Sequence, residues 1–484
     1  MLHPRVRWVL ERLGWMALGA LILLIAVISF VVGQQPELQV WHVAKLKEEF
    51  SRKSEISTME EYLALEDRLF EELQRKVYDE APDETRSDVN RYTRGSRADP
   101  TRWERDWNRT FILEPETPRA GALLIHGLSD SPYSMKHIAT RLQKAGVLAV
   151  GMRMPGHGTA PVGLTNVRWE DMATAVRIGM RYLQERLGDK PRYLIGYSNG
   201  GALSVEYALA SVEDESLPSV SGVVLLSPMI GVSPAAAYAI WQERIGRWFG
   251  FDKLDWTDLS AEYDPFKYGS FAVNAGNQSY RLTTEIAERL SDLKGSEAWK
   301  RLPPVLAFQS ASDGTVSAPA LISTLMEQLH RGGDHELIIF DINRRAEAGK
   351  LVDNDPGPEL FELLKAGSRP YGLGLIVNDE TEPRRTVLLY VDEDDTEPRS
   401  TPLDVLWPED VFSLSHIALP FPPGDPLYGN RSGAPSPGVQ LGDAALRGER
   451  GVLRIPPGTM LRLRWNPFYD FLEKRLLTFL KLEG

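Results

Sequence analysis

The stretch Arg192-Tyr193-Leu194-Ile195-Gly196-Tyr197-Ser198-Asn199-Gly200-Gly201-Ala202 governs the reading of the whole chain. Tyr193 to Ile195 is a short apolar run that predicts a buried strand. Ala202 to Ala210 predicts a helix, and between the two lies the pattern G-x-S-x-G. In a strand–turn–helix context the serine sits on a sharp, strained turn with its hydroxyl exposed at the strand's carboxyl end. The flanking glycines remove the Cβ atoms that would block that turn. Ser198 is therefore a candidate nucleophile for acyl transfer. So short a pattern recurs by chance, and its weight depends on partners elsewhere in the chain.

On either side of this stretch, apolar runs alternate with helical segments. Strands are expected at Thr110 to Leu113, Ala122 to Ile125, Val147 to Met152, Val223 to Leu226, Val305 to Phe308 and Leu337 to Phe340, besides the one before Ser198. Helices are expected at Ser134 to Ala145, Trp169 to Leu187, Ala202 to Ser211 and Pro319 to His330. Continuous apolar strands alternating with helices predict an α/β fold, a mostly parallel sheet covered on both faces. Ligands of such sheets bind beyond the strands' carboxyl ends, where Ser198 lies. Residues 229–302 interrupt the alternation with a run rich in aromatics (Trp241, Trp248, Phe249, Phe251, Trp256, Phe266, Tyr268) and read as a cap over those ends. Residues 344–410 read as a second insertion: a solvated hairpin around Val387 to Tyr390, with acidic turns at Asp379-Glu380 and Asp392-Glu393-Asp394-Asp395. The chain closes with an amphipathic helix from Pro467 to Leu482, expected to pack on the core.

A serine hydroxyl needs a histidine to take its proton, and the histidine needs a carboxylate to fix its tautomer. In a G-x-S-x-G enzyme of this fold the chain order is Ser, Asp or Glu, His. Three histidines follow Ser198. His330 and His335 precede the strand Leu337 to Phe340, at its amino end. His416 comes after it and is the base by elimination. Asp313 lies just past the strand Val305 to Phe308, where the acid is expected; Asp313-Gly314 is also a turn signal. The oxyanion donors are expected to be the backbone N–H groups of Asn199, after the nucleophile, and Leu128, in the loop His126-Gly127-Leu128-Ser129-Asp130. His126 and His157 read as loop-bracing residues. No metal site is expected, because no H-E-x-x-H or other close ligand pair exists.

Ahead of the sheet, Trp15 to Val32 is an unbroken uncharged apolar run preceded by Arg5, Arg7 and Arg12. As a helix it would be about 27 Å long, close to the hydrocarbon thickness of a bilayer. The charge bias predicts a single-pass anchor over residues 1–36, with the remainder on the extracytoplasmic side; a cleavable signal peptide is the competing reading. Residues 37–106 read as a juxtamembrane helical segment followed by a linker from Ala81 to Asp106, and residues 107–484 as the sheet domain. The 484-residue chain carries a formal charge of −12 and no cysteine. The first argues against nucleic acid as a partner; the second removes disulfides and thiolate chemistry.

Four motifs in order, Leu124-Ile125-His126-Gly127, Met154-Pro155-Gly156-His157-Gly158, Gly196-Tyr197-Ser198-Asn199-Gly200 and Ser312-Asp313-Gly314-Thr315-Val316, together resemble the α/β-hydrolase superfamily. Within it they look like the monoacylglycerol lipase, lysophospholipase and carboxylesterase branch. The resemblance covers roughly Arg109 to Pro420. It implies a Ser-Asp-His triad, a helical cap between the strand ending at Ser227 and the strand at Val305, no cofactor, and an ester substrate, lipid-like or short-chain. A peptidase or amidase with the same triad, and a catalytically silent binding module, are the alternatives. One departure is evident: the family's histidine follows its last strand within a short loop, whereas here residues 344–410 intervene.

Overall fold

The computed structural model describes residues 4–231, 252–345, 352–353, 355–382, 384–409, 411–430, 447–448 and 461–482. In chain order the elements begin with α1 (Pro4–Gln34), α2 (Val40–Val43), α3 (Met59–Leu73), β1 (Phe111–Leu113) and β2 (Ala120–Ile125). Next come α4 (Lys136–Lys144), β3 (Val147–Met152), α5 (Trp169–Leu187), β4 (Arg192–Tyr197), α6 (Asn199–Glu213) and β5 (Gly222–Leu226). A two-stranded ribbon, β6 (Trp256–Asp258) and β7 (Phe271–Ala272), leads into α7 (Val273–Leu293). The chain continues with β8 (Val305–Ser310), α8 (Ala318–Thr324), β9 (Glu336–Phe340), α9 (Gly357–Lys365), β10 (Gly372–Asn378), β11 (Arg385–Val391), β12 (Arg399–Leu406) and α10 (Tyr469–Phe479).

The main sheet has ten strands in the order β1-β3-β2-β4-β5-β8-β9-β10-β11-β12. The run from β3 to β10 is parallel, and β1, β11 and β12 are antiparallel. All six residues of β2 are buried. Leu123 and Ile125 belong to the core on one face, Ala122 and Leu124 to the core on the other. A strand covered on both sides needs apolar residues at every position, since successive side chains leave by opposite faces.

Two regions differ from their sequence reading. Within residues 344–410 the described elements extend the sheet itself. α9 is the crossover to β10, which pairs parallel to β9, and β11 and β12 follow as a meander whose turns carry the acidic clusters. The run of β10, Gly-Leu-Gly-Leu-Ile-Val-Asn, gives a weak strand signal because two glycines dilute it. Residues 81–106 do not run as a solvated linker. Tyr92 is buried with its hydroxyl on the Thr159 carbonyl (3.0 Å), and Trp103 meets the rings of Tyr133 and Phe266 edge-on. Buried anchors at long intervals in a polar segment leave no periodic trace.

The helix α3 packs on the flank of the sheet domain, as its apolar stripe predicts. Its Thr58 cap and Glu61 form a reciprocal capping box. α1 is continuous over 31 residues. Among the described residues no helix is long and apolar enough to cross a membrane. Eight positions of the apolar run (21, 24, 25, 27, 28, 29, 31 and 32) have side chains outside the described set. Of the expected cap, Trp241, Trp248, Phe249 and Phe251 lie outside the described residues. Trp256, Phe266 and Tyr268 are buried.

His335 sits at the amino end of the sheet, its Nδ1 accepting from the Val305 N–H at 3.2 Å. Burial pushes its pKa down to about 3 from an ordinary 6.5. The unfolded chain therefore binds a proton below 6.5 that the folded chain refuses, so this group withdraws stability as pH falls from 6.5 toward 3. His335→Gln removes that linkage. Relative to wild type, the variant should gain about 2 kcal/mol in urea unfolding between pH 7 and pH 5, at about 1.4 kcal/mol per pH unit below 6.5. A gap independent of pH would refute the assignment.

Candidate active site

The turn after β4 is tight and strained. Ser198 has φ 53° and ψ −116°, a conformation that costs a non-glycine residue about 1–3 kcal/mol. The glycines around it are required by close approach. A Cβ on Gly196 would collide with the Gly200 carbonyl, and one on Gly200 with the Ile125 carbonyl of β2. The Ser198 N–H is held by the Leu226 carbonyl (3.0 Å), and its own carbonyl accepts from Gly201 and Met229 (both 2.9 Å).

Asp313 and His416 converge on that serine. His416 Nε2 lies 3.0 Å from Ser198 Oγ, and His416 Nδ1 lies 2.9 Å from Asp313 Oδ2. The carboxylate fixes the proton on Nδ1 and leaves Nε2 as the acceptor for the serine hydroxyl. All three residues come from different elements, and 218 positions separate Ser198 from His416. The Asp313 side chain is fully buried. Burial alone would raise its pKa. The His416 ring beside it and the N–H groups of Thr315 (2.8 Å) and Val316 (3.0 Å) outweigh burial and hold the carboxyl below its ordinary range. Gln309, on β8, donates from Nε2 to Asp313 Oδ2 at 3.0 Å, a support that carries no sequence signal of its own.

The chain reaches His416 by returning from the far edge of the sheet after β12. Asn343, just past β9, clasps the returning segment: its N–H donates to the Phe412 carbonyl at 2.7 Å and its Nδ2 to the Val411 carbonyl at 3.0 Å. Ser310 Oγ, at the end of β8, holds the Leu414 carbonyl at 2.6 Å. The histidine loop thus lies against the ends of β8 and β9. His330 and His335 remain at the amino end, against the Leu302 carbonyl and the Val305 N–H.

The loop after β2 is set by His126. Its Nε2 accepts from the Met154 N–H (3.0 Å), so its Nδ1 carries the proton and donates to the Gly127 carbonyl (2.8 Å). Burial drives its pKa well below the ordinary value, which keeps the ring neutral. In a trans peptide the carbonyl and the next N–H point in opposite directions. Holding the Gly127 carbonyl therefore turns the Leu128 N–H the other way. Among the described residues neither the Leu128 N–H nor the Asn199 N–H has a hydrogen-bond partner. Asn199 is also the first residue of α6, at the positive end of the helix dipole. His157 braces the neighbouring loop, its Nδ1 on the Pro155 carbonyl (2.9 Å) and its ring edge-on to His126 at 5.1 Å. Arg153, fully buried, anchors the same loop through Glu66 (3.1 Å) and Glu49 (3.0 Å) of the N-terminal segment.

Residues 116–342 match the family model described as serine aminopeptidase, S33. A thermostable monoacylglycerol lipase of Bacillus sp. strain H-257 is 29% identical over 122 residues, 25% of this chain and 46% of that protein. Phospholipase YtpA of Bacillus subtilis strain 168 is 26% identical over 130 residues, 25% of this chain and 45% of that protein. The chain resembles the monoacylglycerol lipase and esterase branch of the α/β-hydrolases. It spans about half the length of the curated relatives it matches. A solved structure from work on LipS and LipT, two metagenome-derived lipolytic enzymes, aligns at 22% identity over 49% of this chain and 88% of that chain, with a TM-score of 0.37. The mostly parallel sheet with helices on both faces is that of an α/β-hydrolase.

His126→Ala releases the Gly127–Leu128 peptide without touching Ser198, Asp313 or His416. Removing an oxyanion donor outright costs about 10²–10³ in kcat. The expected result is a kcat on a p-nitrophenyl ester lowered by roughly 10- to 10³-fold at nearly unchanged KM. A change confined to KM would mean that His126 supports substrate binding only.

Proposed function

We propose that this chain is a membrane-anchored serine hydrolase that cleaves carboxylic esters through an acyl-enzyme. The observation that carries the proposal is the convergence of Ser198, His416 and Asp313 at 3.0 and 2.9 Å on a strained strand-to-helix turn. Ser198 Oγ attacks the acyl carbon while His416 Nε2 takes its proton. Asp313 holds the ring and stabilises the imidazolium. The N–H groups of Leu128 and Asn199 receive the developing oxyanion. His416 then protonates the leaving alcohol, and a water activated by the same ring releases the acid. The names of the curated relatives, a monoacylglycerol lipase and a phospholipase, favour a lipid-like ester over an amide, although the matched family model is described as an aminopeptidase.

Hydrolysis of p-nitrophenyl esters of graded chain length tests this reading. Ser198→Ala and His416→Ala should each lower kcat by about 10⁴–10⁶, whereas His335→Ala should leave turnover intact. Failure of a fluorophosphonate to label Ser198 would instead support a silent binding module.

The anchor rests on the apolar run Trp15 to Val32 and the arginines before it. In its favour, α1 is helical throughout and leaves Trp15, Met16, Leu23 and Phe30 exposed. In this reading residues 37–484 lie on the extracytoplasmic side. The full chain should stay with membranes through carbonate extraction and be degraded by protease added from that side, and a chain lacking residues 1–36 should be released. A mature amino terminus near Gly33, read by mass spectrometry, would establish the signal-peptide alternative.

A further inference from the structure

The segment that leaves α1 is fastened to the face of the sheet on which Ser198 opens. Lys253, ahead of the β6–β7 ribbon, donates from Nζ to the Gln35 carbonyl at 3.2 Å and to Glu37 Oε1 at 2.8 Å. Further on, the Nδ1 of the buried His42 accepts from the Gln39 N–H (2.9 Å), so its Nε2 carries the proton and donates to Ser270 Oγ at 2.9 Å. Trp41, also buried, stacks on Tyr92 at 5.0 Å, and the Tyr92 hydroxyl holds the Thr159 carbonyl. Close to Ser270 in the chain, the Tyr268 N–H donates to the Ser129 carbonyl at 2.8 Å, in the loop that carries Leu128.

These partners all stand beyond the carboxyl ends of strands: Lys253, Tyr268 and Ser270 follow β5, Thr159 follows β3, and Ser129 follows β2. Chain length makes the placement tight. An extended chain spans at most about 3.5 Å per residue. The path from Gln34, where α1 ends, to Glu37 is therefore at most about 10 Å, and to His42 about 28 Å. A strand of six residues such as β4 is about 20 Å long, and the amino edge of the sheet lies beyond it. A stem this short and this firmly pinned transmits orientation, which a loose linker does not.

We propose that the carboxyl-end face of the sheet, with its catalytic site, is held against the bilayer that carries α1, and that the enzyme takes long-chain esters from that same bilayer. The inference rests on the anchored-hydrolase reading above and narrows its substrate class to esters that reside in lipid. A long acyl chain that leaves a bilayer for water exposes each of its methylenes, and a site at the membrane surface shortens that exposure.

The chain has no cysteine, so a single introduced one can carry a donor dye. Thr257→Cys, exposed on the β6–β7 ribbon, and Lys300→Cys, exposed ahead of β8, mark the two edges of the sheet. With the full-length protein in phosphatidylcholine nanodiscs that hold a headgroup-linked acceptor, energy transfer should be strong from Thr257→Cys and weak from Lys300→Cys. Equal transfer, or the reverse order, would overturn the placement. Activity gives a second readout. Methylumbelliferyl stearate is supplied either in the nanodiscs that hold the protein or in separate, protein-free nanodiscs. Sharing the bilayer should raise the initial rate by about tenfold or more, because the encounter becomes intramolecular. A Gly/Ser spacer of about thirty residues between Gly33 and Gln34 leaves residues 35–42 untouched and lets the domain drift roughly 30 Å from the bilayer. The spacer should cut the advantage by about threefold or more and leave p-nitrophenyl butyrate hydrolysis unchanged. Equal rates from shared and separate nanodiscs, or an advantage that survives the spacer, would overturn the inference while leaving the anchored hydrolase intact. Release of the protein from membranes by carbonate would overturn the anchor, and absence of Ser198 labelling by a fluorophosphonate the hydrolase; the inference falls with either.

Discussion

Asn343 makes two hydrogen bonds on which the site depends. It stands just past β9 and binds the carbonyls of Phe412 and Val411, 68 positions away along the chain for the side-chain bond. These contacts close the gap opened by the three-strand extension, so that the loop bearing His416 returns to the ends of β8 and β9. Both bonds are buried, and a buried backbone carbonyl without a partner is costly, about 1–3 kcal/mol. Trp407 and Phe412, both fully buried, add an apolar penalty to any other path. The position of the histidine loop is therefore tied to the ends of β8 and β9.

A second constraint runs from the amino-terminal segment to the same site. Glu49 and Glu66 meet the fully buried Arg153, and the Tyr62 hydroxyl donates to the Arg153 carbonyl at 2.7 Å. Removing either acid would leave a guanidinium short of a partner where water does not reach, a change that costs about 3–5 kcal/mol when a buried pair is broken. The Arg153 guanidinium also holds the His157 carbonyl at 3.0 Å, and His126 takes the N–H of Met154. A chain of direct contacts thus links the segment after α1 to the loop that carries Leu128. Residues 37–106 are part of what rigidifies the site.

Much of the site is legible in the sequence. Ser198 stands out because G-x-S-x-G between a strand and a helix is a local pattern, and Asp313 because it lies just beyond an apolar strand. His416 follows by exclusion, since the other two candidates precede β9 and so fall at its amino end. The supports are not legible there. Gln309 looks like any buried polar residue in a strand, and Glu49, Glu66 and Asn343 act across long sequence separations.

Amino-acid order alone is enough for the elements whose signal is local: the alternation of apolar strands and helices, the strained turn at Ser198, the order of Ser198, Asp313 and His416 along the chain, and the apolar run at the amino terminus. Packing in three dimensions determines where the sheet ends, how residues 81–106 are held, which way the Leu128 N–H turns, and whether His416 reaches Ser198. The division has a physical cause. Backbone propensity and side-chain periodicity act over a few residues. Hydrogen bonds and ion pairs between segments 68 to 218 positions apart depend on the packing that brings those segments together.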